Sequence, residues 1–96
     1  MKEAISRKVR YEVYRRDGFA CVLCSGTSGL QIHHYCHRGQ GGNDTPHNLV
    51  TLCATCHAQI HGFIPYEGED YSVAWAEQGI CEYLADYYAP GWNPYR

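Results

Sequence analysis

Two hydrophobic periods run along this 96-residue chain. Ile5, Val9 and Val13 recur every four residues with the basic side chains largely off their stripe, which predicts an amphipathic helix over Glu3–Arg16 that Asp17-Gly18 ends. Phe19–Cys24 carries a Cys-x-x-Cys, and Ser25–Gly29 is a polar, glycine-bearing turn. Leu30–Tyr35 and Leu49–Leu52 suit two strands, the second returning beside the first. Between them, residues 37–47 hold Gly39, Gly41, Gly42, Asn43, Asp44 and Pro46, which predicts a loop. Ala54–His61 predicts a short helix with Gly62 placed to stop it. After an acidic turn over Glu67–Asp70, Val73, Ala76, Ile80, Tyr83, Leu84 and Tyr87 recur at steps of three and four, predicting a longer helix over Ser72–Tyr88 despite Gly79. The last stretch, PGWNPYR, reads as an irregular tail that packs Trp92 and Tyr95 on the core. The class is α+β.

Composition makes this one domain spanning 1–96, with 45% hydrophobic and 19% charged residues. Much of the hydrophobic share is nine tyrosines and six cysteines, so the aliphatic core is thin and a structural metal would relieve the shortage. Six cysteines could instead form three disulfides in a secreted protein. The N-terminus, MKEAISRKVR, has no apolar signal region, so reduced thiols and a cytoplasmic location are expected. No run approaches the roughly 20 apolar residues of a membrane span, and no membrane partner is expected.

The net charge of −2 argues against a nucleic-acid binder until the charges are placed. Residues 1–20 hold Lys2, Arg7, Lys8, Arg10, Arg15 and Arg16 against Glu3, Glu12 and Asp17, whereas residues 63–96 hold six acids against Arg96 alone. A phosphate backbone meets a local basic surface rather than the total, so the first segment is a candidate contact, with Arg10, Arg15 and Arg16 foremost. A solvated helix face is the plainer alternative.

Cys21 and Cys24 form one Cys-x-x-Cys and Cys53 and Cys56 another, the doubled knuckle of a closed tetrahedral zinc site. The 28 intervening residues exceed the spacing of simple zinc ribbons, the excess being the histidine-rich hairpin. Cys36 and Cys81 are left over, Cys36 close enough to the histidines to be a rival ligand or simply packed. His57 and His61 stand four apart and project from one helix face, able to share a metal. His33 and His34 are strand neighbours that point to opposite faces, so one can bind metal while the other does a different job; a ligand and a base are the natural roles.

Four segments in order, RRDGFACVLC, LQIHHY, GGNDTPHNLVTLC and CATCHAQIHG, resemble the cysteine-bearing branch of the HNH endonucleases, from about Val9 to Gly62. The resemblance implies a small ββα-metal core over about 9–62 with a C-terminal helical extension over about 63–96. It implies His33, His57 and His61 as ligands of a catalytic divalent ion, His34 as general base and Asn48 as the residue holding the loop and base in place. Imidazole ligands suit Mn²⁺, Co²⁺, Ni²⁺ or Zn²⁺ better than an oxygen-rich site would, with Mg²⁺ kept open.

The activity implied is metal-dependent hydrolysis of phosphodiester bonds in DNA, RNA being kept as an alternative, one strand per site, leaving 5' phosphate and 3' hydroxyl. Arg38, in HRGQGG, is placed to reach a phosphate. Small members of the family often serve phages or mobile elements, so a homodimer, phage packaging proteins and a host-cell cytoplasm enter as expectations by analogy. Two rivals stand beside the enzyme: a zinc-stabilised nucleic-acid-binding module without cleavage, and a structural subunit of a phage DNA-processing assembly.

Overall fold

A computed structural model of the chain describes residues 5–95. Ser6 decides where the first helix begins: its Oγ accepts the Val9 N–H at 3.2 Å, and α1 runs Arg7–Arg16. Ile5 and Ser6 therefore precede the helix instead of belonging to it, and the expected start at Glu3 lies outside the described residues. The chain then makes β1 (Leu30–His34), one 3-10 turn (Arg38–Gln40), β2 (Leu49–Cys53), α2 (Ala54–Ile60) and α3 (Val73–Tyr87). This is the α+β arrangement read from the pattern, with three helices and a two-stranded antiparallel sheet among the described residues. His33 lies opposite Val50 and His34 opposite Leu49.

The core forms where β2 meets the helices. Leu49, Val50, Thr51 and Leu52 are all buried, because α1 and α2 both pack against this strand. Val50 and Leu52 share a cluster with Cys21, Ile60, Ala76, Ile80 and Leu84. The three α3 residues fall at four-residue spacing, so one stripe of that helix makes the contact. In the tail, the Trp92 indole packs on Tyr35 at 5.7 Å and donates to the His47 carbonyl at 2.7 Å. Tyr95 stays largely exposed.

Arg16 corrects an expectation. Read from sequence as a phosphate contact, its side chain is only 4% exposed and all five of its N–H groups are engaged. They donate to both Asp17 carboxylate oxygens, the Pro46 and Leu49 carbonyls and the Tyr88 hydroxyl, at 2.6–3.1 Å. Tyr83, Tyr87 and Tyr88 surround the guanidinium. Burial by itself would lower its pKa, but the Asp17 carboxylate and the Tyr88 hydroxyl together outweigh that and the net shift is upward. Asp17, also interior, accepts the Thr51 N–H at 2.8 Å and the Tyr83 hydroxyl at 2.6 Å. The pair thus ties α1 to β2 and α3, and Arg16 is a structural rivet. Arg10 and Arg15 remain exposed.

Candidate active site

The two Cys-x-x-Cys turns meet at one point. The Sγ atoms of Cys21, Cys24, Cys53 and Cys56 all lie within 4.8 Å of one another, and Cys24 Sγ is 3.6 Å from Cys53 Sγ. Metal–sulfur bonds of about 2.3 Å put the edge of a tetrahedron at about 3.8 Å, so the cluster fits one tetrahedral ion. Two backbone amides already donate to sulfur, Gly26 N–H to Cys24 and Cys56 N–H to Cys53, each at 3.4 Å. Burial and the neighbouring sulfurs push the Cys56 thiol strongly up. Four thiolates can share this space only if a cation offsets their charge. The cluster could therefore hold a metal. Cys36 stands apart from it, its thiol directed at the His37 and Gln40 carbonyls.

A second cluster joins β1 to α2. Ring nitrogens of His33, His57 and His61 lie within 4.8 Å of one another, and the His57 and His61 Nε2 atoms approach to 3.0 Å. The helical i, i+4 pair and the inward-facing strand histidine thus converge, with His33 buried, His57 half-buried and His61 exposed. Burial, reinforced by the surrounding imidazoles, pushes the His33 pKa down to about 3. Burial and then His61 lower that of His57. With their pKa values lowered, His33 and His57 keep lone pairs near neutral pH, and an all-imidazole set fits a divalent ion of the borderline class. His57 Nδ1 bonds to the Gln31 side-chain oxygen, which fixes Nδ1 as the protonated nitrogen and turns Nε2 toward the cluster. Gln31 was not singled out in sequence, although it sits two residues before His33 and so shares its strand face. His37 approaches from the loop, its ring 6.1 Å from that of His61.

His34 turns to the other face. Its Nε2 lies 2.7 Å from Asp44 Oδ1, so Nε2–H donates to the carboxylate and, in that tautomer, Nδ1 carries the lone pair. Arg38 holds Asp44 through Nε at 2.8 Å and through a terminal nitrogen at 2.7 Å. That guanidinium, with His34 adding to it, holds the Asp44 carboxyl below the usual carboxylate range against partial desolvation. Arg38 is thus anchored on Asp44. Asp44 was read only as a loop former; its ten-residue distance from His34 gives no sequence signal, because loop closure brings them together.

Asn48 is fully buried and works as a staple. Its Oδ1 accepts the Cys36 N–H at 2.7 Å while Nδ2 donates to the Cys36 and Asn43 carbonyls at 2.8 and 2.9 Å. The loop is drawn in so tightly that a Cβ on Gly42 would stand 1.9 Å from the Cys36 oxygen and 2.9 Å from Asn48 Nδ2, so only glycine fits there.

Residues 21–63, which contain both clusters, match the sequence profile of the family described as HNH endonuclease. The chain carries an HNH endonuclease domain over these residues. It is 41% identical over 39 residues to the type IV methyl-directed restriction enzyme EcoKMcrA of Escherichia coli strain K12, a match covering 41% of this chain and 14% of that protein. It is also 30% identical over 56 residues to anaredoxin of Nostoc sp. strain PCC 7120, covering 57% of this chain and 74% of that protein. Because the chain spans only about 14% of the restriction enzyme, the likeness there is to one HNH segment. Among the described residues no helix is long and apolar enough to cross a membrane.

Proposed function

We propose that this HNH protein is a metal-dependent endonuclease that hydrolyses phosphodiester bonds of DNA, cutting one strand per site and leaving 5' phosphate and 3' hydroxyl. The observation that carries the proposal is the division of labour between two adjacent strand residues: His33 joins the His57–His61 pair, while His34 faces away into a carboxylate. His33, His57 and His61 would hold the divalent ion, whose positive charge would neutralise the scissile phosphate and the leaving oxygen. Zinc is assigned to Cys21, Cys24, Cys53 and Cys56, where four thiolates suit it and where closure of the knuckle contributes folding energy.

His34 acts as general base. Asp44 accepts a hydrogen bond from its Nε2–H, which leaves Nδ1 to take a proton from the attacking water. Asp44 also disperses the positive charge that grows on the ring, and Arg38 keeps Asp44 ionised and in place. Asn48 sets the loop that carries this carboxylate. Arg10 and Arg15 supply exposed positive charge for the phosphate backbone. The reading requires neither a homodimer nor a packaging partner.

A nicking assay on supercoiled plasmid with added Mn²⁺, Mg²⁺, Ni²⁺, Co²⁺ or Zn²⁺ tests the proposal, run beside calorimetric metal titration. His34→Ala should lower cleavage by roughly 10²- to 10⁴-fold while metal still binds. His57→Ala should weaken metal binding and activity together, with partial rescue by excess metal. If His34→Ala cuts at the parent rate, the base is misassigned. If the parent nicks no DNA or RNA with any of these ions, the zinc-stabilised binding module becomes the better reading.

A further inference from the structure

Phe63 leaves α2 on a backbone that is tied down. The Gly62 N–H donates to the Gln59 carbonyl at 3.0 Å and the Phe63 N–H to the Ala58 carbonyl at 2.8 Å, with Gly62 at φ +80°. This is a Schellman cap, in which the residue after the glycine commonly folds its apolar side chain back on the helix. Phe63 does not. Its side chain is 82% exposed, the highest value for a large hydrophobic among the described residues. The ring stands 6.3 Å from that of His61, tilted by 37°, and edges a shallow depression lined by Gln31, Ala54, His57, Ala58 and His61.

A rigidly mounted aromatic left in water costs hydration free energy that packing does not recover. Its position says what covers it. It borders the imidazole cluster, so a phosphodiester engaged there carries its flanking nucleobase past the ring. A flat apolar ring stacks on any base, but a base inside continuous duplex already has both faces covered by its neighbours. We infer that Phe63 is a stacking platform for a nucleobase beside the cleaved phosphodiester, and that the site therefore takes single-stranded or locally unpaired nucleic acid in preference to continuous duplex. The inference rests on the nuclease reading and adds the substrate class to it.

The test is binding by fluorescence anisotropy, with the protein as purified and no added divalent ion, strand integrity being checked on a denaturing gel. Three probes are used: a short labelled single strand, the same strand as duplex, and a strand of equal length with abasic residues throughout, which keeps the phosphates. Phe63→Ala should bind the base-bearing single strand roughly 5- to 140-fold more weakly than the parent, the range expected for one lost base–aromatic stack. Phe63→Trp should restore affinity and Phe63→Leu should not. Parent and Phe63→Ala should bind the abasic strand equally, and the parent should prefer single strand to duplex. Melting temperatures should not change, since the side chain packs on so little. Equal affinity of parent and Phe63→Ala for the base-bearing strand overturns the inference, as does an equal loss on the abasic strand or a preference for duplex. If those results come from a protein that still binds and nicks, only the stacking role fails; if no probe is bound and nothing is nicked, the nuclease reading fails with it.

Discussion

Asn48→Asp replaces one NH₂ by oxygen and changes almost nothing in shape. In the parent, Oδ1 accepts the Cys36 N–H while Nδ2 donates to the Cys36 and Asn43 carbonyls. An aspartate keeps the first bond and sets an oxygen against two carbonyl oxygens. Each buried carbonyl left without its donor costs about 1–3 kcal/mol, and the ionised carboxylate adds its own burial penalty. We expect a loss of at least about 3 kcal/mol from a total stability of about 5–15 kcal/mol for a domain of this size. At about 4–8 °C per kcal/mol, the melting temperature should fall by about 12 °C or more. Asn48→Ala loses the same three bonds but leaves room for water, so it should be no worse than the isosteric change. Circular dichroism melts of the three proteins at neutral pH, zinc-loaded, decide the matter. An aspartate variant that melts like the parent would refute the staple, since even a protonated carboxyl has one O–H for the two carbonyls that the amide NH₂ serves. Below its melting point, Asn48→Asp should still bind metal at the imidazoles but nick poorly, because the same loop carries Asp44.

The interior place of Arg16 makes the basic residues separable. Neutralising Arg10 and Arg15 should weaken DNA binding and flatten its salt dependence with little change in melting, whereas Arg16→Gln should cost about 3–5 kcal/mol of stability by orphaning buried Asp17, with the salt slope unchanged below the melting point. Cys24→Ser should abolish stoichiometric zinc binding and unfold or aggregate the protein; a metal-free parent, or a variant that melts like it, would remove the zinc assignment. Gly42→Ala should force the Cys36–Asn48 contact apart and lower both stability and nicking, while an alanine variant equal to the parent in calorimetry and activity would show that the loop yields without cost.

Local pattern was enough for the elements, for the four-cysteine cluster and for the helical histidine pair, while the family resemblance chose His33 over His34 as their strand partner. Two Cys-x-x-Cys turns, a histidine pair four apart and an adjacent strand pair each have a geometry that short-range sequence dictates, since helix and strand periods fix which side chains share a face. Those residues could be named before any contact was known. What lay beyond reach depended on contacts between distant segments. Arg16 belongs by composition to a basic helix, yet at the last turn of α1 its stem enters the gap between β2 and α3, where Asp17, two carbonyls and Tyr88 claim every donor. Burial of a charge is a property of what packs over it, and that is written in residues 30 to 72 positions away. Asp44 and Gln31 follow the same logic: a carboxylate in a glycine-rich loop and an amide on a strand look like solvated surface until the loop closes on His34 and α2 crosses β1. Most members of the two clusters follow from spacing along the chain, whereas the groups that aim them are set by which surfaces meet when it folds.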